Sequence, residues 1–136
     1  MNLLILATDA KATKHDVARA WFEDQMNGGQ LVGLPWTTLL GFVRLSTDGV
    51  SRRPSLAMTD ALSFVEDWLE WETVWTPEPT ARHHIVFAEL LRNSPRSRLV
   101  ADAHLAALAI EHGLTLCSAD ADFKMFSGLR FHNPLQ

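Results

Sequence analysis

Three aspartates stand where their type and spacing could do chemistry. Asp102 opens the apolar stretch Leu99-Val100-Ala101-Asp102-Ala103-His104-Leu105-Ala106-Ala107-Leu108-Ala109. Asp120 and Asp122 follow the run Thr115-Leu116-Cys117 at alternate positions. Each has an ordinary use. A carboxylate at the start of a helix sits well at the positive end of the helix dipole. Asp-x-Asp after a strand makes a polar turn or a helix cap. The chemical use is metal binding or general-base work. Hard divalent cations favour clustered carboxylate oxygens. A lone Asp-x-Asp says little, but two acidic sites after two separate elements can converge at one end of a sheet.

Other polar residues are weighed against that cluster. His104 sits two residues after Asp102, and helix positions two apart do not face each other, so it belongs at the edge of a site built on Asp102. His83 and His84 lie near a helix start with no metal-ligand spacing and read as surface or capping residues. His15 and Asp16 suit helix entry. Cys117 lies within a strand and reads as core. Arg92, Arg96 and Arg98 cluster just before Asp102, as a solvated loop or as forks for phosphate. Arg44, on an earlier helix, could also meet phosphate or hold an acid. Trp21, Trp36, Trp68, Trp71 and Trp75 read as core or interface anchors rather than base-stacking platforms.

The elements that must position these residues follow from periodicity and punctuation. Asn2 to Ala7 is a short apolar run and reads as a buried strand. A helix is expected from about Thr13 to Met26, with Val17, Ala20, Trp21 and Asp24 on one face and Asn27-Gly28-Gly29 as its stop. Leu31 to Leu34 reads as a strand and Trp36 to Ser46 as an apolar helix behind Pro35. Asp48 to Pro54 is a polar loop with Arg52 and Arg53. Ser55 can cap a helix carrying Ala61, Val65, Trp68 and Leu69. Glu72 to Thr76 is a candidate strand, and Thr80 can cap the helix through Ile85, Phe87, Leu90 and Leu91. After the basic loop come a helix over Ala101 to His112 ended by Gly113, a strand over Leu114 to Cys117, a turn or short helix over Asp120 to Phe126, and a last strand over Leu129 to His132. This alternation argues for an α/β sandwich with a mostly parallel sheet.

Composition sets the bounds. The 136 residues suit one domain over 1–136, and 47% apolar content supports a packed core. No run is long enough to span a membrane, and Leu3 to Ala7 is too short for a secretory signal. One Cys cannot make an internal disulfide, which points to a reducing cytoplasm. The formal charge of −4 argues against a general nucleic-acid binder but not against an enzyme that holds metal with carboxylates.

Taken together, Asp102-Ala103-His104-Leu105-Ala106-Ala107-Leu108-Ala109, Ser118-Ala119-Asp120-Ala121-Asp122-Phe123, Gly128-Leu129-Arg130 and Asn133-Pro134-Leu135 resemble the C-terminal half of PIN-domain ribonucleases, in particular the VapC-type toxins of type II toxin–antitoxin pairs. Val32-Gly33-Leu34-Pro35-Trp36, Gly41-Phe42-Val43-Arg44-Leu45 and Ala61-Leu62-Ser63-Phe64-Val65 extend the likeness in order over nearly the whole chain. The resemblance implies a three-layer α/β/α sandwich with a mostly parallel central sheet and an endoribonuclease using Mg²⁺ or Mn²⁺. It implies Asp102 and Asp120 as catalytic and metal-binding residues, with Asp122 as a further metal ligand. Arg44, His104, Arg96 and Arg98 become the candidates for substrate RNA. A cognate VapB-type antitoxin, which places an Arg in the acidic pocket, and a homodimer are implied as partners, in the cytoplasm and without a membrane.

Two departures from the family pattern stand out. The family's first acid lies two residues before the Asn of its first strand. Asn2 matches that Asn, so the acid would fall ahead of Met1; the expectation is that the natural start lies upstream. Asp9 falls beyond that segment and is no replacement. The Glu found in the second helix of many relatives is also missing, with Leu39, Leu40 and Gly41 in its place. These departures leave an alternative: a catalytically impaired PIN scaffold acting as antitoxin-binding partner or corepressor.

Overall fold

The computed structural model describes residues 1–50 and 54–136, and the chain divides into two compact units, Met1–Thr76 with Leu135 and Pro77–Pro134 with Gln136. Arg52 and Arg53 of the polar loop lie outside the described residues.

The first unit runs α1 (Asn2–Thr8), α2 (His15–Asn27), β1 (Val32–Gly33), α3 (Trp36–Thr47), α4 (Met58–Glu70) and β2 (Val74–Trp75). Its opening segment corrects the expectation of a strand. A short run that is apolar throughout has no period to separate a strand from a buried helix. Leu and Ala, which dominate it, favour the helix. The last turn is closed by Thr8, whose hydroxyl donates to the carbonyls of Leu4 and Ile5 at 3.0 and 3.1 Å. In α2 the inward stripe is Ala18, Phe22 and Met26, at i, i+4 and i+8, whereas Val17, Ala20 and Asp24 face outward. Pro35 precedes α3, and its carbonyl accepts from the N–H groups of Thr38 and Leu39. The residue before α4 is Ala57 rather than Ser55, with no side-chain cap. β1 and β2 pair in parallel, Val32 opposite Val74 and Gly33 opposite Trp75. Leu4, Ile5, Met26, Leu34, Leu39, Phe42, Ala61, Val65 and Trp68 form the core. Trp68 meets the rings of Phe42 and Phe22 edge-on at 4.8 and 5.6 Å, a preferred aromatic geometry.

The second unit runs α5 (His83–Asn93), a 3-10 turn over Ser97–Leu99, α6 (Val100–Glu111), β3 (Thr115–Cys117), a second 3-10 turn over Ala121–Met125, and β4 (Arg130–His132). α6 is apolar on nearly every side and buries Ala103, Ala106, Ala107, Leu108 and Ala109. It stops at Gly113, whose φ of +66° suits a residue without a Cβ. The N–H groups of Gly113 and Leu114 then bond back to Ile110 and Ala109. β3 and β4 are parallel in the register Thr115–Arg130, Leu116–Phe131 and Cys117–His132. Leu90, Leu99, Phe123 and Phe126 complete this core with the α6 alanines.

Both strand pairs are parallel and interleaved with helices, as expected of an α/β chain. Among the described residues the pairing falls into two two-stranded ladders rather than one long sheet. None of the described helices is long and apolar enough to cross a membrane.

Candidate metal centre

The N-terminal end of α6 and the exit of β3 meet for a metric reason. From Asp102 to His112 the helix travels about 15 Å. Gly113 reverses the chain, and extended backbone from Leu114 to Asp120 regains about 20 Å at most. Asp120 therefore returns to the level of the first turn of α6. One ligand oxygen from each of Asp102, Asp120 and Asp122 lies within 4.8 Å of the others, and all three residues are half-buried.

Local hydrogen bonds fix the turn that carries two of them. The Asp120 N–H donates to Ser118 Oγ at 3.0 Å. Asp120 Oδ1 in turn accepts the Asp122 N–H at 2.9 Å and caps the 3-10 turn. The capping role and the clustering role thus coexist in one side chain. Asp102 lies in the first turn of α6 and makes no capping bond, which leaves its oxygens to the cluster. Burial raises the Asp102 pKa first, and the negative charges of Asp120 and Asp122 raise it further, against the opposing effect of Arg98. Asp102 thus faces two negative neighbours against one guanidinium. An oxygen-only donor set under that tension fits a hard divalent cation.

The basic residues before α6 reach across to the same turn. Arg98 donates from Nη1 to Asp122 Oδ2 at 2.6 Å, and Arg96 approaches the sulfur of Met125 at 3.9 Å. Arg44 is exposed in the last turn of α3, in the first unit. Asp9 belongs to that unit too, where it ends α1 and accepts the Lys11 N–H.

His104 leads away from the acids into a second polar cluster. Its Nδ1 is 3.0 Å from His83 Nε2. His83 Nδ1 bonds Glu111 Oε2, and Glu111 Oε1 accepts from both the N–H and the hydroxyl of Thr80, at 3.0 and 2.6 Å. The Glu111 side chain has 0% exposure. Burial alone would raise its pKa, but the bonds from Thr80 and His83 outweigh that and hold it below the ordinary glutamate value. For His104, burial and the neighbouring His83 lower the pKa, against Glu111. His83 is therefore no surface or capping residue, although exposed His84 beside it is on the surface. Thr80 is not the cap of α5, which is Arg82 with no side-chain bond; its hydroxyl donates to Glu111 and accepts the Arg82 N–H. The missed signal was Glu111 seven residues after His104, on the same face of α6.

The profile of the PIN domain family matches residues 2–129. The chain is 38% identical over 135 residues to "Ribonuclease VapC37" of Mycobacterium tuberculosis, covering 98% of this chain and 93% of that one. It is 33% identical over 137 residues to "Ribonuclease VapC33" of the same species, covering 100% and 96%. Among solved structures, VapBC2 from Rickettsia felis, bound to a DNA fragment from its promoter, matches with a TM-score of 0.69 at 18% identity, over 97% of this chain and 93% of that one. The fold is the PIN fold, and the chain belongs to the VapC-type ribonucleases of the PIN-domain family.

Proposed function

We propose that this chain is the toxin of a toxin–antitoxin pair, a divalent-cation-dependent endoribonuclease whose site is built on Asp102, Asp120 and Asp122. The observation that carries this reading is the convergence of the three carboxylates within 4.8 Å from two separate elements. It sits in a chain that aligns end to end with relatives named ribonucleases. That naming also weighs against the impaired scaffold.

A bound Mg²⁺ or Mn²⁺ would supply positive charge for a phosphodiester and lower the pKa of a bound water. Asp102 and Asp120 would hold the ion, with Asp122 in support. The Ser118 and Asp120 hydrogen bonds keep the turn in place, so little reorganisation is needed to bind. Arg98 pairs with Asp122 and Arg96 meets Met125 on the same 3-10 turn, and both are donors suited to phosphate. His104 keeps one ring nitrogen without a hydrogen-bond partner among the described residues, which supports a contact with RNA at the edge of the site. Arg44 remains a further candidate for RNA.

An antitoxin of the VapB type is the proposed partner, supported by the structural likeness to VapBC2 from Rickettsia felis. An Arg is the side chain best matched to a cluster with unrelieved negative charge. Exposed Trp36 and Leu40 on α3, and Met58 and Leu62 on α4, support a homodimer. The family match runs through both units, which supports reading them as one domain. A cytoplasmic setting suits the unpaired thiol of Cys117.

The test is cleavage of total cellular RNA by the purified chain with Mg²⁺ or Mn²⁺, against EDTA and against Asp102→Ala. Cation-dependent cutting that the variant loses is the expected result. Cutting that survives both EDTA and the substitution overturns the assignment.

A further inference from the structure

Arg98 is placed unlike a residue that simply waits for RNA. Its guanidinium donates to Asp122 at 2.6 Å, inside the acid cluster proposed to hold the cation. The pair is open to water, with 55% of the Arg98 side chain and 40% of the Asp122 side chain exposed. Ion pairs of that kind are weak and exchange easily. The backbone beside it is not free to drift, because Leu99 is fully buried against the α6 alanines. A tethered guanidinium on an exchangeable contact can let go of a carboxylate and still stay within reach of whatever occupies the site. Its planar fork matches a phosphate as well as a carboxylate.

We propose that Arg98 is the internal counter-ion of the acid cluster, seated on Asp122 in the cation-free protein and released to the RNA phosphate when a divalent cation takes its place. The proposal rests on the reading of Asp102, Asp120 and Asp122 as a cation site. The cation and the guanidinium compete for the same negative charge, so each weakens the hold of the other. After the exchange, the Arg98 charge faces the anion that the cation also attracts. One residue then opposes cation binding and favours RNA cleavage, a pair of effects with opposite signs. A residue that merely steadied the turn would weaken both when removed.

The experiment measures Mn²⁺ binding to the full chain by the loss of the free-ion electron paramagnetic resonance signal, alongside RNA cleavage at saturating Mn²⁺. The proteins are the wild type, Arg98→Gln, Arg98→Lys and Asp102→Asn. Arg98→Gln is expected to bind Mn²⁺ about fivefold more tightly, the size of a lost repulsion in a partly exposed site. Its kcat/KM for RNA is expected to fall about tenfold, for loss of a charged phosphate contact. Arg98→Lys, which keeps the charge, returns Mn²⁺ affinity to near the wild-type value. Equal or weaker Mn²⁺ binding by Arg98→Gln, with the wild type binding well, overturns the counter-ion role and leaves the cation site standing. Tighter binding with unchanged cleavage overturns the transfer to phosphate. A wild type that binds no more Mn²⁺ than Asp102→Asn removes the cation site itself, and the proposal with it.

Discussion

Asp102 and His104, two residues apart on α6, open two polar clusters of opposite character. Asp102, Asp120 and Asp122 gather like charges in a half-buried place, where the exposed Arg98 guanidinium pairs with Asp122. Thr80, Glu111, His83 and His104 form a chain in which a fully enclosed carboxylate receives three hydrogen bonds. The first cluster stores electrostatic tension, and the second has discharged it. A site that must bind a ligand needs unmet demand, whereas a brace between α5 and α6 needs its enclosed carboxylate satisfied, as Glu111 is. The helix keeps them apart because 100° per residue sends positions 102 and 111 to opposite faces, and positions 104 and 111 to the same one.

The contrast breaks first at Asp102. Asp102→Asn is expected to lower RNA cleavage about a hundredfold to a thousandfold through loss of transition-state charge stabilisation. The same change should not destabilise the cation-free protein and should raise its melting temperature slightly, because one of three repelling charges is gone. A clear drop in melting temperature would mean that Asp102 braces the fold rather than binding a ligand.

Glu111→Ala gives the opposite pattern. It strands the Thr80 N–H, the Thr80 hydroxyl and His83 Nδ1 without their acceptor. Losing one partner of a buried polar cluster costs roughly 3 kcal/mol. Urea unfolding reads that cost, and a value under about 0.5 kcal/mol would show that the chain of hydrogen bonds holds nothing. His104→Ala removes only the outer link and is expected to cost about 1 kcal/mol.

Acidity sharpens the comparison through its sign. The Asp102 pKa is raised on folding, so its charge costs stability at neutral pH and that cost disappears as pH falls through the raised value. The Glu111 pKa is lowered on folding, so its contribution is present above the ordinary glutamate range and is lost as pH falls through the depressed value. Without cation, mild acidification should therefore stabilise the wild type relative to Asp102→Asn. Stronger acidification should destabilise the wild type relative to Glu111→Gln. Urea midpoints measured across the acid range check both slopes. The smallest effect belongs to His84→Ala, an exposed neighbour of His83, expected within about 0.5 kcal/mol of the wild type by the same unfolding assay.

Much of this was legible before folding. Asp102 and Asp120 follow separate elements, and an α/β chain brings the ends of such elements together. The helix over Val100–Glu111 was evident from its Ala and Leu content and its terminal Gly113. Asn2–Thr8 was not, because uniform apolarity erases the period that tells strand from helix. The burial of Glu111 was equally hidden. A glutamate near the end of a helix reads as solvated until something from another element covers it, and here the cover comes from Thr80 and His83, about thirty residues earlier in the chain.

The amino-acid sequence by itself determined the helices and strands of the second unit, the family likeness and the identity of the three clustered acids. Those depend on local propensity and on short motifs, which need no knowledge of neighbours in space. Tertiary structure decided what each charge is for. It set Arg98 on Asp122 and joined His104 to a buried glutamate through His83. Pairing between residues distant in the chain depends on how far each element travels and which face it turns, and those quantities exist only in the folded molecule.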